Sequence, residues 1–155
     1  MTRFGKRDES LPELIAEAAR VALSDAEIER PDAIVVAAMN PEEFTGAGNY
    51  GSLIATHLGL STVPTIRVET ATSSGLAGLY AGFAGVAAGL HGVVLVVGGE
   101  KMTHLPTPRV AEIIGRSIDP QERAYGTTMP ALAGLITRAA MHHHGLTLRE
   151  ISRSR

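Results

Sequence analysis

Hydroxyl side chains cluster at one point of the chain, where a strand is predicted to lead into a helix. Thr70, Thr72, Ser73 and Ser74 are followed directly by Gly75. The free N–H groups at a helix start, together with the positive end of the helix dipole, stabilise negative charge. A reactive side chain placed here would therefore meet anion-stabilising donors. Serine and threonine are also ordinary helix caps, and the residue types alone favour that simpler role.

A glycine-rich loop is a second candidate site. The sequence Gly46-Ala-Gly48-Asn-Tyr-Gly51 matches GxGxxG, and Glu69 ends the next predicted strand, as in the dinucleotide-binding fingerprint. That fingerprint places its first glycine in the turn directly after a strand, whereas residues 39–45 separate Ala38 from Gly46. The spacing favours a flexible loop before a helix, and a small nucleotide-binding α/β module remains an alternative function.

The histidines do not predict a metal site. His142, His143 and His144 are consecutive, and adjacent residues of a helix point in different directions, so they do not converge on one ion. Cationic side chains near a helix C-terminus are favourable in any case. His104 is a better candidate for ligand binding, because it follows the C-terminal end of a predicted strand, where open α/β sheets bind ligands.

Composition narrows the classes of protein. The chain has 155 residues, of which 45% are hydrophobic and 19% charged, so we expect a globular domain with a substantial core. The net charge of −2 without a basic stripe argues against nucleic acid as a partner. The absence of cysteine excludes disulfides and thiol catalysis. The charged N-terminal residues lack the apolar core of a signal peptide, so we expect a cytoplasmic location.

The uncharged stretch of residues 70–99 is predicted to form the centre of the fold. Residues 73–90 combine large apolar side chains with many glycines and alanines and carry no charge, which predicts a helix buried all round. Residues 93–97 are Val-rich, which is typical of a central parallel strand. A membrane-spanning reading fails because the apolar helix is shorter than the roughly 20 residues required. The glycines instead predict close approach of this helix to its neighbours.

The remaining elements predict an α/β fold with a mostly parallel sheet and a buried Gly/Ala-rich central helix. Ahead of that helix we expect a helix over 11–23, a strand over 33–38, a loop over 39–48, a helix over 50–58 and a strand over 65–70. After it come a long excursion with a short helix near 110–115, a helix over 129–143, and a helix beginning at 147–150. We expect one domain over 1–155, with an α/β core in 1–100 and the excursion and helices in 101–155.

The order of these motifs resembles the N-terminal half of a thiolase. In that family a strand leads through a small-residue turn containing cysteine into a Gly/Ala-rich helix, and a Val-rich strand then ends in Gly-Gly-x-Glu-x-Met. The sterol-carrier-protein-type thiolases and related lipid-transfer thiolase-like proteins are the most similar members. The matching segments are residues 68–75, 93–97 and Gly98-Gly-Glu-Lys-Met102, with support from 2–5, 14–23, 57–60, 125–130 and 141–142.

The resemblance implies a five-layer α/β/α/β/α sandwich of two similar halves and acyl transfer on CoA thioesters. It implies acyl-CoA as the substrate and no separate cofactor. Thr72 stands where the family has its nucleophilic cysteine, and a threonine hydroxyl needs an adjacent base to act as a nucleophile. Its backbone N–H could still face an acyl oxyanion. The resemblance also implies substrate contacts from Ser73, Ser74, Gly75, His104 and Met129.

We expect a thiolase-like protein that is inactive by itself, because of Thr72 and because the matched motifs belong to the family's N-terminal half only. A truncated chain is therefore expected. Exposed sheet edges and apolar faces predict association, either as a homodimer or with a complementary thiolase C-terminal chain. The alternatives are a component of an aldolase or lipid-transfer complex on CoA esters, with a small zinc-ribbon/OB-fold subunit, and an acyltransferase that uses Thr72 or Ser73.

Overall fold

The computed structural model describes residues 1–153 and divides into two compact units, residues 1–106 and the residues from 107 onward. The first unit contains α1 (Leu11–Asp25), β1 (Ala33–Ala37), α2 (Pro41–Thr45), α3 (Tyr50–His57), β2 (Thr65–Val68), α4 (Ser74–Ala87) and β3 (Val94–Gly98). The second unit contains α5 (Thr107–Gly115), α6 (Pro120–Ala124), α7 (Met129–His144) and α8 (Leu148–Ile151). The expectation of one domain over 1–155 stays a prediction.

The first unit is built on a parallel three-stranded sheet in the order β2-β1-β3. β1 is central and every one of its residues is buried, which explains its unbroken apolar sequence. Helices α1 and α3 pack on one face, where their apolar side chains form the core with alternate strand residues. Helix α4 packs on the other face. The predicted α/β class with a parallel sheet is confirmed.

Local sequence signals account for the helix boundaries. Ser10 and Glu13 form the predicted capping box of α1, in which the Ser10 N–H donates to Glu13 Oε2 at 2.7 Å. Thr147 and Glu150 form the same box at α8. In α7, Thr128 caps the first turn, and Gly145 closes the helix with a φ of +66°.

Two segments differ from the prediction. The expected loop over 39–48 contains the short helix α2, which begins at Pro41 after Asn40 in the left-handed region. Proline is favoured in the first turn of a helix, so Pro41 marked a helix start and not a loop. The excursion likewise contains α6, which starts at Pro120 behind the Asp119 cap. Neither of these two short helices is predicted from the sequence.

The prediction that the central helix is buried all round is wrong for the described structure. α4 contacts the sheet through Gly78 and Gly82, which are buried, while its large apolar side chains face away from the sheet. Tyr80 is 73% exposed and Phe83 is 71% exposed. The physical reason is that the three strands offer α4 only one surface, and no described element of this unit covers its outer side. This outer face consists of Leu76, Leu79, Tyr80, Phe83 and Val86.

The close contact at Gly82 predicts a specific cost for larger side chains. A Cβ at Gly82 would lie 2.5 Å from Val96 Cγ2, whereas a Cβ at Gly75 of the same helix meets nothing within 4 Å. We therefore expect Gly82→Val to lower the free energy of unfolding by about 1–3 kcal/mol more than Gly75→Val, the range seen for overpacked cores. Urea unfolding of the full chain, followed by far-UV circular dichroism, measures both. If both variants lose the same free energy of unfolding, the stability of the chain does not depend on the close contact at Gly82.

Candidate functional site

The carboxyl ends of the three strands meet at one edge of the sheet, because the strands are parallel. Ligands of open α/β sheets bind at this edge. The segments that leave it are Met39–Asn40 after β1, residues 69–75 after β2 and residues 99–102 after β3. This edge therefore carries both the hydroxyl turn and the Gly-Gly-x-Glu-x-Met motif.

The turn between β2 and α4 is locked by its own side chains. Ser74 Oγ accepts from the Thr70 N–H at 3.0 Å and donates to the Ala71 carbonyl at 2.6 Å, and Ser74 is only 5% exposed. Ser73 Oγ donates to the Thr70 carbonyl at 2.7 Å. Ala71 has a φ of +51°, a conformation that costs a residue with a side chain roughly 1–2 kcal/mol. The surrounding hydrogen bonds hold this backbone in place.

This geometry leaves Thr72 at the surface, directly before the start of α4. Ser73 occupies the cap position, but its side chain makes no capping hydrogen bond and instead points back into the turn. The Ser73 hydroxyl therefore does not act as a helix cap. Thr72 is exposed beside the positive end of a 14-residue helix, where negative charge is stabilised. The arrangement can hold an anion or a developing oxyanion next to Thr72.

A half-buried carboxyl group, Glu100, lies at the same edge. Glu100 Oε2 accepts from the Met39 N–H at 2.9 Å, while Oε1 is buried and has no hydrogen-bond partner among the described residues. Burial, together with the carboxylates of Glu69 and Glu42, raises the pKa of Glu100 to about 7 despite the lowering effects of the Met39 N–H and Arg67. Glu100 therefore titrates near neutral pH.

Arg67 binds the two neighbouring carboxylates. Its guanidinium donates to Glu42 at 2.7 Å and to Glu69 at 3.2 Å. Sequence reasoning missed this group as site residues, although Glu100 is the first charge after the uncharged stretch and belongs to the quoted motif. The spacing of the sequence could not show that α2 and β2 bring Glu42 and Arg67 to the same edge.

The predicted site residues fall into three places. Thr72, Ser73, Ser74 and Gly75 share the turn at the start of α4. His104 lies after β3, where its Nε2 is 2.8 Å from the Phe44 carbonyl of α2. Met129 is the half-buried first residue of α7 and belongs to the second unit. Their roles in binding or catalysis stay predictions.

The glycine loop does not take the arrangement of a dinucleotide site. Helix α2 stands between β1 and Gly46, and Gly46 is the C-cap of that helix with a φ of +76°. The turn directly after the strand therefore contains no glycine of the motif. Gly51 instead lies inside α3, where a Cβ would meet Thr65 Cγ2 at 3.4 Å.

His142, His143 and His144 lie in the last turn of α7, where the rings of His143 and His144 meet edge to face. Within 1–153 no three side chains of His, Cys, Asp or Glu converge as a metal site. Over the same residues, no helix has both the length and the apolar character that crossing a bilayer requires.

Comparison with known proteins agrees with the motifs. The family model of the thiolase N-terminal domain matches residues 1–154. The acetyl-CoA acetyltransferase of Methanothermobacter thermautotrophicus is 36% identical over 156 residues, covering 97% of this chain and 40% of that protein. The acetyl-CoA acetyltransferase of Methanocaldococcus jannaschii is 37% identical over 154 residues, covering 97% and 39%. The chain thus spans about two fifths of the length of these relatives.

A solved structure extends the comparison to the fold. The crystal structure of 3-oxoacyl-(acyl carrier protein) synthase III, FabH, from Pseudomonas aeruginosa PAO1 matches with a TM-score of 0.58 and 27% identity, over 68% of this chain and 33% of that one. The chain belongs to the thiolase family, whose N-terminal domain it matches over residues 1–154.

Proposed function

We propose that this chain forms the N-terminal part of an acyl-CoA-binding site of thiolase type, with the acyl carbonyl lying at the start of α4 beside Thr72. The observation that supports this most directly is the locked turn of residues 70–75, which exposes Thr72 next to the helix N-terminus. Two relatives that are named acetyl-CoA acetyltransferase, and are 36% and 37% identical, support the same class of substrate. The CoA thioester is the substrate, and the proposal needs no cofactor.

The proposal assigns binding to this chain and not acyl transfer by this chain alone. A threonine hydroxyl is a weak nucleophile without an adjacent base, and the hydrogen bonds around Thr72 involve only hydroxyl and backbone groups. Thr72 would act through its backbone N–H, as a donor to the thioester oxygen. The hydroxyls of Ser73 and Ser74 donate to backbone carbonyls within the turn. We therefore propose that these two residues and Gly75 set the shape of the substrate site. His104 and Met129 are retained as proposed substrate contacts.

We further propose that the chain works in an assembly, formed through the outer face of α4. That face exposes Leu76, Leu79, Tyr80, Phe83 and Val86, and each large apolar side chain gains roughly 1.5–3 kcal/mol on full burial. An uncharged face of this size is typical of an association surface. The proposed partner is a second copy or a complementary thiolase C-terminal chain. A complementary C-terminal chain would in addition supply the acid–base groups that the turn lacks.

Replacing Thr72 by cysteine tests whether the start of α4 stabilises a negative charge at this position. The chain contains no cysteine, so Thr72→Cys creates a unique thiol at the positive end of α4. We expect its pKa to fall below the ordinary value of about 8.5, and we expect incubation with acetyl-CoA to leave an acetyl thioester on it. The pH dependence of its alkylation by iodoacetamide, followed by intact-protein mass spectrometry, measures the pKa.

The matched control is Thr56→Cys, an exposed thiol in the last turn of α3, where the helix dipole disfavours a thiolate. Its pKa should not fall, and it should take no acetyl group. If the two thiols alkylate with the same pH profile, α4 does not present an anion-stabilising start at Thr72, and the proposed acyl site is wrong.

Breaking the apolar face tests the assembly. We expect the unsubstituted chain to associate, either with itself or with a copurifying chain, and Phe83→Asp to abolish that association because a charge would be buried in the interface. Native mass spectrometry under mild conditions gives the stoichiometry. Val21→Asp changes an apolar residue of α1 that is 59% exposed, and it should leave the assembly intact. A monomeric unsubstituted chain would contradict the proposal.

A further inference from the structure

The end of β3 is pressed against its neighbours in a way that only glycine allows. A Cβ at Gly98 would lie 2.5 Å from the Ala37 carbonyl oxygen, and a Cβ at Gly99 would lie 2.8 Å from Ile15 Cγ1. Real Cβ atoms essentially never come so close to other heavy atoms. The two glycines therefore let β3 end directly beside β1 and α1, and Glu100 is the first side chain after them.

Glu100 connects the segments that follow β1 and β3. Its Oε2 accepts from the N–H of Met39, two residues after the end of β1. The next residue, Asn40, has a φ of +48° and opens α2. The contact thus holds the corner at which β1 turns into α2. Glu100 Oε1 is buried without a donor among the described residues, so an ionised carboxyl is poorly satisfied here.

The charges around Glu100 oppose its ionisation. Carboxylates face it from α2 at Glu42 and from the end of β2 at Glu69, and both act against its negative charge. Arg67 of β2 acts to lower the pKa of Glu100, but its guanidinium is already bonded to Glu42 and Glu69. The phenol of Tyr50 in α3 is buried and hydrogen-bonded to Thr45, and burial and the negative charge of Glu100 raise its pKa. The cation is therefore shared by two other carboxylates.

We propose that Glu100 is a proton-controlled tie between the carboxyl ends of β1 and β3, closed against Met39 when protonated and released towards solvent when ionised. This places a pH-dependent hinge at the edge that carries the turn of residues 70–75. It concerns the chain itself and does not depend on acyl-CoA binding.

The direction of the effect follows from linkage. The pKa of Glu100 is about 7 in the closed arrangement, because of burial and the two carboxylates, whereas a solvated glutamate titrates near 4.5. The closed form therefore binds the proton more tightly, and closure is most stable below about pH 4.5. Closure loses stability as the pH rises towards 7. The hydrogen bond from the Met39 N–H favours the ionised carboxyl, but burial and the two carboxylates outweigh it.

Amide hydrogen exchange at Met39 tests the tie. In the full chain, we expect the protection factor of the Met39 amide, corrected for its intrinsic rate and read by ¹⁵N NMR, to fall at least about tenfold between pH 5 and 8, because one pKa unit equals a tenfold bias. Glu100→Gln, which keeps an acceptor for Met39 but cannot ionise, should show no such fall. Glu29→Gln, at an exposed carboxylate, should behave like the unsubstituted chain.

A fall of equal size in Glu100→Gln, or none in the unsubstituted chain, overturns the proposal. If Glu100→Gln does not fold, the side-chain carboxyl signals of ¹³C-labelled glutamate in the unsubstituted chain decide the question. A Glu100 titration midpoint near 7, lowered by Glu69→Gln, supports the tie, and a midpoint below 5 refutes it. No acyl-CoA is present in these measurements, so they stand or fall separately from the proposed acyl site.

Discussion

The close approach of α4 to the sheet is the constraint on which the rest of the first unit depends. Gly78 and Gly82 let the helix lie on β1 and β3, with a Cβ at Gly78 already 3.0 Å from Ala37 Cβ. Glycine lowers helix propensity by about 1 kcal/mol relative to alanine, so the contact is stabilised by burial of the strand side chains beneath it and not by the helix itself. This contact positions α4 on the sheet, and Thr72 lies directly before the first turn of that helix.

The same contact divides α4 into two faces with opposite roles. The glycine face is buried, and the large apolar side chains are left on the outer face. A helix with exposed Leu, Tyr and Phe is stable in water only at a cost in solubility, which a partner surface removes. The edge strands β2 and β3 of the described sheet reinforce this point, since an edge strand offers unpaired backbone groups.

The carboxyl edge combines a rigid part with a titratable part. The turn of residues 70–75 is held by hydroxyl–backbone hydrogen bonds that do not change with pH. Glu100 is held by a single N–H and opposed by two carboxylates, and its pKa of about 7 lies in the physiological range. Both parts rest on glycines, Gly78 and Gly82 under α4 and Gly98 and Gly99 beside β1. Backbone proximity thus decides the chemistry available at this edge.

Much of the fold could be read from the sequence because local signals agree with one another. The capping box at Ser10, the buried run of β1 and the Val-rich β3 each set an element by periodicity and capping, and the order of motifs identified the family. The short helices that begin at Pro41 and Pro120 were not predicted, because proline occurs in the first turn of a helix as well as in loops. Only the tertiary structure decided which face of α4 is covered, and that α2, β2 and β3 bring Glu42, Arg67 and Glu100 together. Burial and long-range charge pairing depend on the distance between segments far apart in the chain, which no local pattern of residues contains.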